Sequence, residues 1–309
     1  MRTRRLGADG PDVSAVGLGC NNFGTRIDEQ GTRAVVDAAL DAGVTLFDTA
    51  DVYGNRGGSE EFLGKALEGR RDRVVLATKF GHEMSNDAPR NRGSREYMRS
   101  AIEASLKRLR TDVVDVYQYH RPDGVTPIEE TLGAMSELVD EGKVRFIGSS
   151  NFDASQIAEA DELARAHSWH RFVSAQNEYS LLERGVEEEL LPVCERLGVG
   201  VLPYFPLASG LLTGKYRRGE PAPAGTRLAM RPERLTDEVF DELEALEAFA
   251  KERGHTLLEL AFAGLLAQPA VSSVIAGATN PEQVRANAAA GEWELDEQDV
   301  LALRALLDA

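Results

Sequence analysis

Eight short apolar runs recur along the chain, at residues 16–19, 44–47, 74–78, 113–117, 144–148, 173–176, 199–203 and 271–276, and stretches with helical spacing lie between them. Runs of this length suit buried strands and are too short for helices. Strands alternating with helices over short connections predict an α/β protein with a parallel sheet, and eight such units close into a (β/α)8 TIM barrel. The helical stretches carry their own start and stop signals. Residues 28–42 place Ala34, Val35, Ala38 and Ala39 on one side and stop at Gly43, and residues 94–109 turn Ile102, Leu106 and Leu109 inward. Ser59 is placed to cap a helix over 59–67, with Glu60 and Glu61 in its positive first turn. Thr126-Pro127-Ile128-Glu129 has capping-box spacing and puts Pro at the first helical position of a helix running to Asp140. Further helices are expected over 187–197, 236–253, 256–267 and 295–307, and from Asn280.

Before the first run, residues 2–6 and 12–16 flank the turn formers Gly7-Ala8-Asp9-Gly10-Pro11, which predicts an N-terminal β-hairpin. After the seventh run, residues 208–235 form a long insertion rich in Gly, Pro and Arg, of a length usually reserved for functional or mobile loops. An open doubly wound sheet would need a glycine fingerprint, and the glycines of Gly17-Leu18-Gly19 lack G-x-G-x-x-G spacing. Gly210-Leu211-Leu212-Thr213-Gly214-Lys215-Tyr216 is one residue short of a P-loop and ends in Tyr where Ser or Thr belongs. The 309 residues show no break in composition, so a single domain over 1–309 is expected. A net charge of −16 argues against nucleic acid and anionic membrane surfaces as partners. Two cysteines, Cys20 and Cys194, make neither a disulfide framework nor a metal cluster, and with no signal-peptide or transmembrane run the expectation is cytoplasmic. His167 and His170 have helix-neighbour spacing but no Cys or carboxylate set to complete a metal site, and none is expected.

Several strand ends carry a pattern of their own. Leu46-Phe47-Asp48-Thr49-Ala50-Asp51-Val52-Tyr53-Gly54 resembles the signature of the aldo-keto reductases. Ala77-Thr78-Lys79-Phe80, Tyr119-His120-Arg121-Pro122-Asp123 and Gly148-Ser149-Ser150-Asn151-Phe152 match in family order, and the resemblance extends from Gly17 to Asn287. It points to the long-loop bacterial type, related in fold to potassium-channel β subunits, and implies a hairpin closing the bottom of the barrel. It also implies a catalytic tetrad of Asp48, Tyr53, Lys79 and His120.

The chemistry of a carbonyl reduction makes sense of those four. Hydride addition needs a proton on the carbonyl oxygen, and Tyr53 is the plausible acid, although a free phenol has a pKa near 10. An ammonium beside it favours phenolate, so Lys79 should lower that value, while Asp48 holds Lys79 in place. His120 can donate a hydrogen bond to the oxygen and orient it.

No side chain can supply hydride, and the resemblance implies NADPH (returned as NADP+), with NADH the other candidate. By resemblance Ser150, Asn151 and Gln176 hold the nicotinamide carboxamide, and Tyr204, followed by Pro206 and Leu207, stacks on its ring. Gly19, Cys20 and Asn21 lie in a loop whose glycines allow close backbone approach. Gly277, Thr279, Gln283 and Asn287 resemble the adenine and phosphate segment, beside a helix N-terminus suited to phosphate. Gly277 and Gln283 stand where many members carry Lys and Arg, which leaves the 2′-phosphate to the insertion, where Ser209, Lys215 and Arg227 match the cofactor-binding positions of long-loop members. The implied activity is NADPH-dependent reduction of an aldehyde or ketone, with a nicotinamide-nucleotide-sensing regulatory protein as the alternative. The substrate and the oligomeric state are left open.

Overall fold

A computed structural model describes residues 1–308, Arg227 by its backbone alone. Two short strands, β1 (Thr3–Arg5) and β2 (Asp12–Ser14), form the antiparallel N-terminal hairpin. Among the described residues eight strands then build one curled parallel sheet: β3 (Val16–Gly19), β4 (Leu46–Asp48), β5 (Val75–Phe80), β6 (Val114–Tyr119), β7 (Val144–Ser150), β8 (Phe172–Gln176), β9 (Gly200–Val201) and β10 (Val274–Gly277). The order β10-β3-β4-β5-β6-β7-β8-β9 follows the chain around the curl. The ends meet through a parallel bridge between Val201 and Val271 and through the Ile275 amide, which donates to the Pro203 carbonyl at 3.0 Å. The result is the TIM-barrel-like α/β fold that the alternation predicts.

Helices α1 (Glu29–Asp41), α2 (Tyr53–Ala66), α3 (Arg95–Leu109), α4 (Ile128–Asp140), α5 (Ala154–His167) and α6 (Leu190–Leu197) follow the strands in turn. Then come α7 (Asp237–Glu252), α8 (Leu257–Leu266), α9 (Pro281–Ala290) and α10 (Glu297–Leu307). Their apolar faces and the outward side chains of the sheet, such as Phe47, Leu76, Tyr117 and Ile147, make one large cluster. A second cluster unites Leu46, Ala77, Val116, Val173, Leu202 and Ile275 with Leu6 and Val13 of the hairpin. Successive strand residues face opposite sides of a sheet, so this second cluster is the barrel interior, and the hairpin plugs its lower end.

Several local expectations change on folding. Ser59 caps nothing: its buried hydroxyl donates to the Cys20 carbonyl at 2.8 Å and shares a 2.8 Å hydrogen bond with Thr49 Oγ1. Gly54, Asn55, Arg56 and Gly57 all have positive φ, so the chain winds left-handed after Tyr53 and brings the start of the regular helix against the core instead of into solvent. A Cβ on Gly54 would lie 2.2 Å from the Ser59 amide, so only glycine fits there. Glu60 is correspondingly buried, accepting from Thr78 Oγ1 at 2.6 Å and Arg108 Nε at 2.7 Å. Thr126 likewise does not cap α4; Asp123 takes its hydroxyl at 2.8 Å. The helix expected over 187–197 begins at Leu190, after a 3-10 turn at Gly185–Glu187. The insertion contains 3-10 turns at Ala208–Thr213, Arg227–Met230 and Pro232–Arg234, and buried Leu211, Leu212, Tyr216 and Leu228 pin it to the barrel.

Candidate active site

The parity that sends Leu46, Ala77 and Val116 into the barrel interior also selects the residues two positions on: Asp48, Lys79 and Gln118. At the upper rim the Lys79 ammonium donates to Asp48 Oδ2 at 2.6 Å and to the Thr49 carbonyl at 2.8 Å. Asp48 Oδ1 accepts from Gln118 Nε2 at 3.1 Å and from Gln176 Nε2 at 2.9 Å. Lys79 is fully buried, and burial works against its charge. The Asp48 carboxylate and Tyr53 outweigh that penalty, so the Lys79 pKa stands above the ordinary lysine value.

Tyr53 reaches over this pair from the start of α2, its ring centroid 5.0 Å from Lys79 Nζ. Burial raises the phenol's pKa; the Lys79 ammonium pulls it down, Asp48 pushes it up again, and the net shift is upward. The sequence-based expectation of a lowered value therefore has the right sign for Lys79 alone and the wrong sign for the sum, because desolvation of the phenolate is the larger effect. His120, one residue past β6, is anchored by its backbone amide to the Phe80 carbonyl at 2.9 Å. Its ring meets Tyr53 edge-on at 5.7 Å and His82 at 4.5 Å. Burial, followed by the charges of Lys79, His82 and Arg121, holds the His120 pKa at about 2, so the ring is neutral under all ordinary conditions. Its Nδ1 is buried without a hydrogen-bond partner among the described residues.

These side chains open onto a cavity of about 620 Å³ at the C-terminal rim, the end of such a barrel where chemistry is built. Asp48, Tyr53 and His120 line it, with Lys79 behind them. Ser150, Asn151, Gln176 and Tyr204 form one wall. Asn151, held at φ 58°, donates to the His120 carbonyl at 2.9 Å and to Ser150 Oγ at 3.0 Å, and accepts from the Tyr204 hydroxyl at 2.8 Å. Gly19, Cys20, Asn21, Pro206, Leu207, Ser209, Lys215, Gly277, Thr279, Gln283 and Asn287 extend the same cavity away from the tetrad. A Cβ on Gly277 would stand 3.1 Å from Asn22 Nδ2, so glycine keeps this wall low. Gln283 Oε1 accepts from the Thr279 amide and hydroxyl at 2.8 and 3.1 Å, which orients the amide at the N-terminus of α9. A groove with glycine walls, a fixed set of amides at the catalytic end and cations farther along fits an elongated dinucleotide with an anionic middle. The side chain of Arg227 lies outside the described residues.

Three cavity residues, Arg26, His82 and Arg121, and the Asp48 partner Gln118 are given no role by the motifs. Gln118 looks like any strand residue until its partner Asp48 is known. Arg26 reaches the insertion, donating to the Gly225 carbonyl at 3.2 Å, a contact across 199 positions. His82 adjoins a recognised segment and Arg121 lies inside one, but the resemblance attaches no role to either. His167 and His170 turn outward to Glu129 and Asp140 at 3.1 and 3.0 Å.

A family model described as "Aldo/keto reductase family" matches residues 15–308. An uncharacterized oxidoreductase, YrpG, of Bacillus subtilis is 41% identical over 96% of this chain and 93% of its own length. A probable voltage-gated potassium channel subunit beta of Oryza sativa subsp. japonica is 38% identical, over 93% of this chain and 90% of that protein. A probable aldo-keto reductase 1 of Glycine max is also 38% identical, over 96% of this chain and 86% of that one.

Proposed function

The chain belongs to the aldo/keto reductase family and is an NAD(P)H-dependent oxidoreductase; from that premise we propose that it is a single barrel domain that reduces a small aldehyde or ketone to the alcohol, using NADPH, with Tyr53 as proton donor. The observation that carries this reading is the meeting of Tyr53, His120 and the Lys79–Asp48 pair at one end of one cavity.

A reduced nicotinamide held in the groove would supply hydride chemistry at the carbonyl carbon. Everything else falls to the chain. Ser150, Asn151 and Gln176 offer the donors and acceptors that orient a carboxamide, and the half-buried Tyr204 ring flanks them. A neutral imidazole carries one N–H, and with Nδ1 buried and without a partner among the described residues the proton of His120 belongs on Nε2, where it donates to the carbonyl oxygen. As negative charge develops on that oxygen, Tyr53 transfers its proton to it. The Lys79 ammonium, 5.0 Å from the ring, stabilises the phenolate left behind, and Asp48 keeps the ammonium charged in a buried site. Burial starts the Tyr53 phenol above its ordinary pKa, and the cation beside it matters most when the phenolate forms.

The preference for NADPH rests on Lys215 and the free Nε2 end of Gln283, with the helix N-terminus of α9 beside them. Among the described residues no helix is long and apolar enough to cross a membrane, and Cys20 and Cys194 are free and buried, which supports a reducing compartment such as the cytoplasm. The test is a panel of aldehydes and ketones assayed by cofactor oxidation, where absence of turnover on every member overturns the reading. The relatives named as potassium-channel β subunits favour a second reading, nucleotide sensing with slow turnover. A single fast turnover followed by a much slower steady state would select it.

A further inference from the structure

The catalytic end of the cavity carries a cation that this chemistry does not use. Arg121 follows His120 directly, lines the cavity and is exposed. It shares this cavity with His82, His120 and Tyr204, and its charge acts on all three. Among the described residues it makes no hydrogen bond and no ion pair within 4.0 Å.

The neighbouring cations are all committed. Lys79 is held by Asp48, and Arg92 faces Glu83 at 3.7 Å and donates to the carbonyls of Gly81 and Pro89. Arg56 donates to Asn86 Oδ1 at 3.1 Å. The nearby carboxylate of Asp123 is occupied too, accepting from the amides of Gly93, Val125 and Thr126 and from the Thr126 hydroxyl. A chain with a net charge of −16 thus presents to its cavity a single carboxylate, the paired Asp48, against Arg26, Arg121 and Lys215, among the described residues. Distant charge is screened over about 8 Å at physiological salt, so the local guanidinium decides what is held beside the tetrad.

We propose that Arg121 is a specificity-determining residue and that the substrate class is a small aldehyde or ketone bearing a carboxylate, which the free guanidinium receives while the carbonyl lies against Tyr53 and His120. This rests on the reduction proposed above. The planar guanidinium fork matches a carboxylate bidentately, where a lysine would offer only a point charge. His82, whose pKa is held below its usual value by burial and by Arg121 and Arg92, adds a neutral hydrogen-bonding ring beside it.

The experiment compares 4-carboxybenzaldehyde with methyl 4-formylbenzoate, which share ring and carbonyl and differ in charge. The parent should favour the acid by roughly tenfold or more in kcat/KM, mainly through KM. Arg121→Gln should remove roughly 10–100-fold from the acid and leave the ester within about twofold; Arg121→Lys should recover part of the loss. A parent that turns over the ester as well as the acid overturns the proposal. So does an Arg121→Gln variant that loses both substrates equally, or one that weakens NADPH binding instead, which would assign the guanidinium to a cofactor phosphate. Calorimetric titration of benzoate into parent and Arg121→Gln proteins separates this inference from the reduction itself. Benzoate binding that depends on Arg121 sustains the anion site even if no carbonyl is reduced, and its absence sinks it.

Discussion

Lys79 and Asp48 meet at 2.6 Å where their side chains are 0% and 4% exposed. A buried pair of this kind is costly to break, because removing one partner strands the other charge away from water. Lys79→Met should cost about 3–5 kcal/mol of stability. Asp48→Asn with Lys79→Met should cost less than the two single changes summed, since no lone charge remains. Urea unfolding of the three variants measures this; strict additivity would mean that the pair is not coupled.

Tyr53→Phe keeps the ring that packs edge-on to His120 and removes only the hydroxyl. Loss of a general acid costs roughly 10²–10⁴ in rate. The variant should lose that much in carbonyl reduction while binding NADPH within about twofold of the parent, as read by fluorescence titration. Near-normal turnover would take Tyr53 out of the mechanism.

Two buried groups predict opposite dependences of stability on pH. The His120 pKa falls from about 6.5 in the unfolded chain to about 2 in the fold, so its contribution is complete above pH 6.5 and is lost as pH falls below it. Asp51 is 1% exposed, its carboxyl oxygens have no hydrogen-bond partner among the described residues, and burial and Glu60 raise its pKa to about 8. Its contribution is complete below pH 3.9 and is lost as pH rises through 8. Each slope is about 1.4 kcal/mol per pH unit at most, so the two offset one another between roughly pH 4 and 6.5. Asp51→Asn should therefore gain stability relative to the parent as pH rises from 4 to 8, and His120→Asn should gain it as pH falls from 6.5. Denaturation across that range decides, and parallel pH curves for parent and variants would refute both assignments.

Lys215 lines the cavity with its ammonium 5.2 Å from the Tyr216 ring and has no carboxylate partner within 4.0 Å among the described residues. If it receives the 2′-phosphate, Lys215→Ala should weaken NADPH binding roughly tenfold and leave NADH binding nearly unchanged. Arg227→Ala should act in the same direction. An unchanged NADPH-to-NADH ratio in both variants would place the discrimination elsewhere, with Gln283 the next candidate.

Much of this was written in local order. The apolar runs set the strands and alternation set the parallel barrel, from spacing within a few residues; that Asp48 and Lys79 share the inner face follows once the strand register is known. Asp48, Tyr53, Lys79 and His120 are singled out by resemblance to a family signature whose segments follow predicted strand ends, and they meet at one end of one cavity. What spacing cannot encode is the company a side chain keeps. Ser59 reads as a cap by type and position, yet it serves Cys20 and Thr49 because a left-handed turn redirects it. Gln118 and Gln176 converge on Asp48 from 70 and 128 positions away. The net shift of the Tyr53 phenol is upward because desolvation exceeds the pull of the ammonium, a comparison that needs the burial of both. Arg121 stands beside His120 in the sequence, but its lack of a partner among the described residues is a property of every element around it. Spacing along a chain determines which face a residue takes; ionisation and availability depend on distance and solvent, which only the closed barrel decides.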